Sequence, residues 1–306
     1  MNRVRVFINP NSGMSSSIES VIMSVDRYWD GPDVDLAFQI SHSVEDGQQK
    51  TRQALADNVD TIIVIGGDGM INSIGSELVG TQTALAVIPT GSGNGFARHF
   101  GIPLNPERAA QALAGADRLR IDVGVANGRP FFVTCSMAWD AAIVRTFEKS
   151  PVRGILPYVF SGVYEFFEYK RQAFDVIADA GPVVRYPDPF IFTVANLTQF
   201  GGQAVIAPTA CPDDGMLELI VINRADAPRI LGSLPRLFNG TIDKLNGVIT
   251  TRFKHLQVKR TDAGPIQIDG ELVEAPADVE VTLRERSLTV LVPSENMRVR
   301  NTRTKD

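Results

Sequence analysis

The run Thr61-Ile62-Ile63-Val64-Ile65, closed by Gly66-Gly67-Asp68-Gly69, constrains this chain more than any other stretch. An unbroken β-branched run leaves no polar face for water, so it predicts a strand buried on both sides in a parallel sheet. The strand stops at three glycines around one carboxylate, and Met70 to Leu78 then carries a helical pattern. Glycines let backbone N–H groups approach a ligand closely, and a helix starting there points its partly positive end at the same spot. Such a corner suits an anion. Asp68 would repel bare phosphate, but it fits if a divalent metal lies between them. The structural alternative is a tight strand-to-helix turn with Asp68 as N-cap.

The flanking sequence supplies a setting for that corner. Strand patterns at Val4 to Asn9, Val34 to Ile40, Ala84 to Ile88 and Leu119 to Val125 alternate with helical ones. The helices fall at Ser17 to Trp29, Glu45 to Leu55, Phe96 to Phe100 and Pro106 to Ala114. Such alternation predicts a doubly wound sheet with helices on both faces, which binds ligands beyond the carboxyl ends of its strands. Three polar, glycine-bearing loops fall at those ends: 9–13, 66–72 and 90–95.

After residue 126 the rhythm changes to short strands. They are expected at Phe131 to Cys135, Phe174 to Ala178, Phe190 to Ala195, Leu217 to Ile222, His255 to Lys259, Pro265 to Asp269, Val279 to Leu283 and Leu288 to Val292. A mainly antiparallel β domain follows, a sandwich or a partly closed barrel. Helical patterns at Leu156 to Arg171 and Pro228 to Phe238 interrupt it. The first is dense in aromatics, from Tyr158 to Tyr169, and the second mixes Leu231, Leu234, Leu237 and Phe238 with Arg229 and Arg236. Either could be a core helix or lie on an anionic bilayer. The basic end, Arg298 to Lys305, reads as a solvated tail. The expected division is 1–125 and 126–292, with 293–306 packing back on the first domain.

A length of 306 residues accommodates two domains. A net charge of -5 lacks the basic footprint of a nucleic-acid binder. Cys135 and Cys211 are the only cysteines, which indicates neither a disulfide framework nor a zinc site. No apolar run is long enough to span a bilayer, and Met1 leads directly into a strand pattern rather than a signal peptide. The expectation is a cytoplasmic protein whose membrane contact, if any, is peripheral.

Seven motifs in order carry a resemblance. Phe7-Ile8-Asn9-Pro10-Asn11-Ser12-Gly13, Gly66-Gly67-Asp68-Gly69 and Ile88-Pro89-Thr90-Gly91-Ser92-Gly93-Asn94-Gly95-Phe96-Ala97-Arg98 come first. Ile121-Asp122-Val123-Gly124, Ala195-Asn196 with Gly201-Gly202 and Ala207-Pro208, Asp213-Asp214-Gly215-Met216-Leu217, and Ile268-Asp269-Gly270-Glu271 follow. Together they resemble the diacylglycerol kinase family, which includes sphingosine kinases and soluble bacterial lipid kinases. The glycine corner alone would fit NAD kinases and phosphofructokinases as well. The fold implied is an NAD kinase/phosphofructokinase-like α/β domain followed by an antiparallel β-sandwich.

The resemblance implies transfer of the ATP γ-phosphoryl group to a lipid hydroxyl, diacylglycerol-like or sphingoid, with Mg2+, in a cleft between the domains. It places ATP on Asn9, Pro10, Asn11, Ser12 and Gly13, on Gly66, Gly67, Asp68, Gly69, Met70, Ile71 and Asn72, and on Ser43 and Ser92. His42 and Ser41 rival Ser43. Glu271 would be the general base, supported by Asp269; these two, placed in an extended segment, would project to the same face. A plain Asp-Gly turn is the alternative. Asp68 and Asp122 would hold the catalytic Mg2+ through water. A second Mg2+ would use Asp214 and the main-chain carbonyls of Cys211 and Met216. The pattern departs from the family at Met70, where a Thr is usual, at Ser73, where a Glu is usual, and at Gly95, where bacterial diacylglycerol kinases carry an Asp. The expected partners are a lipid alcohol, a membrane surface and a second copy of the chain. A small-molecule kinase resembling NAD kinases, or a binding protein with weakened catalysis, stays open.

Overall fold

A computed structural model describes residues 1–10, 18–139, 171–201, 203–227, 229, 232–233 and 235–296. Asn11, Ser12 and Gly13, the aromatic-rich stretch 156–170 and the basic tail 298–305 lie outside the described residues, as do positions 228, 230, 231 and 234. The chain forms two compact units, Met1–Ile121 with the residues from Arg286 onward, and Asp122–Glu285.

In the first unit, β1 (Asn2–Ile8), α1 (Ile18–Trp29), β2 (Val34–Ile40), α2 (Val44–Ala56), β3 (Thr61–Gly66), α3 (Asp68–Leu78), β4 (Ala84–Pro89), α4 (Gly95–His99) and α5 (Pro106–Ala114) follow one another. The strands pair in parallel in the order β2-β1-β3-β4. The end of the chain's final strand (Asp278–Val292) extends this sheet, setting Thr289 beside Ala84. All six residues of β3 and of β4 are buried, as the unbroken apolar runs require. Burial of each large side chain in β3 is worth roughly 1.5–3 kcal/mol. Helix α1 packs with α5, where the Trp29 indole N–H donates to the Ala110 carbonyl, and α2 packs with α3.

The strand order reverses at β1. The chain leaves β1 for β2 on one side and returns through α2 to β3 on the other, and in sheets of this kind ligands bind where the strand order reverses. The glycine corner after β3 stands at this point.

Among its described residues, the second unit is built mainly of antiparallel strands. After β5 (Asp117–Ala126) come β6 (Arg129–Phe131), β7 (Thr134–Ser136), β8 (Phe174–Ala178), β9 (Val184–Tyr186), β10 (Pro189–Ala195), β11 (Gln199–Gly201), β12 (Ala204–Val205), β13 (Leu217–Asn223), β14 (Val248–Phe253), β15 (His255–Arg260), β16 (Gly264–Ile268) and β17 (Glu271–Ala275). One sheet runs β14-β13-β10-β7-β16-β17. A second set pairs the start of the final strand with β15, β15 with β8, and β8 with β9. Phe131, Phe174, Phe192, Leu217 and Phe253 share one core between them.

Two expectations need correction. Phe131 to Cys135 is not one strand: β6 ends at Phe131 and β7 begins at Thr134. The N–H groups of Phe132, Val133 and Thr134 donate instead to the Asp269 carboxylate. Val279 to Leu283 and Leu288 to Val292 are one 15-residue strand, not two. The polar residues between them stay extended, with a single left-handed kink at Arg286 (φ 45°). Asp122 lies within β5, fully buried. Among the described residues, no helix is long and apolar enough to cross a membrane.

Candidate active site

The glycine corner is tighter than its sequence implied. Helix α3 begins at Asp68, two residues earlier than the apolar spacing suggests, and Gly67 is its N-cap. Asp68 is therefore the first helical residue rather than the cap, because an extended Gly67 already turns the chain. No side chain caps α3, whose first turn begins at the switch point.

The second glycine loop lies directly against the first. A Cβ at Gly91 would stand 2.8 Å from the Gly67 Cα, so only two glycines allow this backbone approach. Asn94 shapes the loop: it adopts φ 51°, its Oδ1 accepts from the Gly91 N–H at 3.0 Å, and its Nδ2 donates to the Gly91 carbonyl at 2.8 Å. The Asp68 carboxylate reaches across. Its oxygens accept from the Gly95 N–H at 3.3 Å and the Phe96 N–H at 3.5 Å. A Cβ at Gly93 would come within 3.0 Å of Asp68 Oδ2.

These bonds are long, and burial dominates the charge balance of Asp68. Packing around the carboxyl raises its pKa above the ordinary carboxylate value. The N–H groups of Gly95, Phe96 and Asn94 and the Arg98 charge pull the other way without prevailing. Although the residue keeps a partly exposed edge, its ionised form lacks enough positive charge nearby.

Other expected nucleotide contacts take these places. Asn9 follows β1, its N–H bonded to the Ile65 carbonyl at 3.2 Å, and Pro10 is exposed beside it. Ser92 is exposed at the tip of the second loop. The Met70 side chain folds back over Gly66, where a Cβ would lie 2.7 Å from its sulfur. Asn72 lies half-buried on α3 and Ile71 beneath it in the core. Ser43 is the N-cap of α2, accepting from the Asp46 N–H at 3.2 Å. The backbone and Ser43 also hold the Glu45 carboxyl below its usual range.

In the second unit, Asp269 and Gly270 form the two-residue turn between β16 and β17. Both have positive φ, 47° and 94°, the left-handed pair that suits a hairpin twist. The expectation of an extended Asp-Gly-Glu segment, with both acids on one face, is corrected accordingly. Asp269 is buried, and its carboxylate accepts the N–H groups of Phe132 and Val133, each at 2.7 Å, and of Thr134 at 3.0 Å. Its own N–H donates to the Thr134 carbonyl at 2.9 Å. Glu271 opens β17 just past this clamp, with its side chain exposed.

The clamped segment is gripped from its other side. Asn196, buried after β10, donates through Nδ2 to the carbonyls of Phe132 (3.0 Å) and Asp122 (2.9 Å). Asp122 in turn engages the loop 211–216: its N–H donates to the Pro212 carbonyl at 2.5 Å, and its Oδ2 accepts from the Gly215 N–H at 2.8 Å. Polar links therefore run from the Glu271 hairpin through 132–134 and Asn196 to Asp122. Within 211–216, the Cys211 thiol donates to Asp213, and the Met216 N–H donates to Asp214 Oδ1 at 3.0 Å. No cluster of three or more metal-ligating side chains occurs among the described residues.

Comparison with known proteins bears on both units. Residues 3–126 match the diacylglycerol kinase catalytic domain, and residues 134–292 match the YegS C-terminal NAD kinase beta sandwich-like domain. The chain belongs to the diacylglycerol kinase family. A diacylglycerol kinase of Mycobacterium tuberculosis is 26% identical over 300 residues, 96% of each chain. A probable YegS-like lipid kinase of Pseudomonas savastanoi is 27% identical, across 86% of this chain and 85% of that one. A putative diacylglycerol kinase of Bacillus anthracis shares the fold, with a TM-score of 0.78 at 22% identity over 96% of this chain and 98% of that one.

This lipid-kinase family member thus has its site features in two places. Asp68, Gly66, Gly67, Gly69, Ser92 and the start of α3 gather in the first unit. Asp269, Glu271, Asp122 and the loop 211–216 are joined by bonds in the second. Two contributors stand in the quoted motifs without a role that the sequence discloses. Asn94 signals its role only through the left-handed turn that asparagine tolerates, and Asn196 through carbonyl contacts made across distant segments.

Proposed function

We propose that this chain is an ATP- and Mg2+-dependent kinase for the hydroxyl of a diacylglycerol-like or sphingoid lipid. The observation that carries the proposal is the apposed pair of glycine loops at the uncapped start of α3, with the half-buried Asp68 between them. Phosphoryl transfer asks mainly for positioning and charge neutralisation. Backbone N–H groups can hold phosphate oxygens at fixed positions without reorganising. The residues also fit a divalent ion: Asp68 is a half-buried carboxylate whose partial desolvation disfavours its ionised form until a cation stands beside it. Bound there, Mg2+ would offset the charge of the phosphates.

The acceptor side falls to Glu271. An exposed carboxylate fixed at a rigid hairpin can take the hydroxyl proton as the lipid oxygen bonds to the γ-phosphorus and the bond to ADP breaks. Asp269 acts through that hairpin as a positioning residue, since its oxygens are given to backbone N–H groups. Bilayer contact would be peripheral.

Radiolabelled ATP, offered with diacylglycerol and sphingoid lipids in mixed micelles and separately with NAD, tests this. Label should enter a lipid. Glu271→Ala should lower kcat by about 10²–10⁴-fold while leaving stability unchanged. Label entering NAD alone, or wild-type turnover by Glu271→Ala, would overturn the assignment.

A further inference from the structure

The loop 211–216 is where the family resemblance places a second, structural Mg2+, and the residues present do not fit one. Asp214, the only carboxylate assigned to that ion, is already ion-paired to the Arg252 guanidinium. Its other oxygen accepts the Met216 N–H. Arg252 stands on β14 directly across from Glu218 of β13. Glu218 is almost completely buried, and Thr209 donates to it at 3.0 Å. Asp243 adds a third acid within electrostatic reach, with a buried Oδ1 that no group bonds. Burial raises the Glu218 pKa first, Asp214 and Asp243 add to this, and Arg252 opposes it. One half-exposed guanidinium thus pairs with Asp214 and stands across the sheet from the buried Glu218, which also feels the charge of Asp243.

We infer that Arg252 stands in for the divalent ion at this loop, so that the second unit folds around a built-in guanidinium and needs no structural metal. A guanidinium supplies one positive charge and donors in a fixed fork, a match for Asp214 and its neighbours that no soluble cation need complete. The inference holds whichever acceptor the enzyme phosphorylates.

Thermal unfolding in EDTA and in millimolar Mg2+, without nucleotide, tests it on the full chain. Any Mg2+-induced shift should be the same in wild type and in Asp214→Asn. Arg252→Gln should melt lower in EDTA, by roughly 2–4 °C, and recover in Mg2+. The double variant Asp214→Asn/Arg252→Gln should not recover. Arg252→Lys, which keeps a charge, should melt near wild type and ignore Mg2+. Three outcomes overturn the inference: a wild-type Mg2+ shift abolished by Asp214→Asn, an Arg252→Gln variant as stable as wild type, or one that Mg2+ fails to rescue. Should Arg252→Gln not fold in either buffer, the comparison of wild type with Asp214→Asn still decides.

Discussion

Each unit carries an aspartate beside a glycine turn, and the two are satisfied in opposite ways. Asp269 accepts three backbone N–H groups at 2.7, 2.7 and 3.0 Å. Asp68 also faces three N–H groups, but those of Gly95 and Phe96 stand at 3.3 and 3.5 Å, and desolvation outweighs them all and raises its pKa. Similar residue types in similar sequence settings therefore do different jobs. The fully bonded acid fixes a hairpin, whereas the under-bonded one keeps its charge available for a cation that arrives with a ligand.

The largest expected effect tests the satisfied member. Asp269→Ala leaves three buried N–H groups without their acceptor, and each such group costs about 1–3 kcal/mol. Urea unfolding should show a loss of roughly 3 kcal/mol or more, with kcat falling as the Glu271 hairpin loosens. A loss below about 1 kcal/mol would erase the contrast, since Asp269 would then be no better used than Asp68.

The unsatisfied member should behave inversely. Asp68→Asn keeps the shape and removes a charge that the apo protein holds poorly. Stability without nucleotide should stay level or rise, while kcat with ATP drops by about 10²–10³-fold, worth about 3–4 kcal/mol. A variant that loses stability and activity together would make Asp68 a helix-packing residue instead. The join between the glycine loops is expected to matter less. Gly91→Ala would place a Cβ 2.8 Å from the Gly67 Cα, so one backbone must retreat. We expect a stability loss of about 1–3 kcal/mol and weaker ATP binding by calorimetry.

How much of this was legible in the chain depends on how local its cause is. The buried β3 run, the doubly wound alternation and the helix Pro106–Ala114 follow from periodicity and turn chemistry, and they appear as expected. The break between β6 and β7 has its cause in Asp269, 137 residues from Phe132, so no window around Phe131 to Cys135 could reveal it. The Asp269-Gly270 turn was signalled locally, because Asp-Gly is a hairpin pair, but treating the two acids as an extended pair hid it. Strand β14, with Val248, Ile249, Thr250 and Thr251, has ordinary β-forming residues and is legible in its own composition. Arg252 gains its meaning only from the partners that sheet register sets around it. Local chemistry thus wrote the glycine corner, and tertiary contacts wrote the second unit's polar network.

The smallest effect is the most diagnostic of how Asp68 is held. Its folded-state pKa is raised, so the folded protein binds this proton more tightly than the unfolded chain does. The resulting stabilisation is fully present below the unfolded value, near 3.8, and is lost as pH rises through the folded pKa. At neutral pH, wild type therefore carries a half-buried charge that Asp68→Asn lacks. The melting-temperature advantage of Asp68→Asn should be greatest there and shrink toward zero as pH falls to about 4. Mg2+ with a non-hydrolysable ATP analogue should narrow the advantage at neutral pH, because a cation beside the carboxylate favours its ionised form. An advantage that stays constant with pH would mean that Asp68 is not held against its charge, and the contrast with Asp269 would lose its electrostatic half.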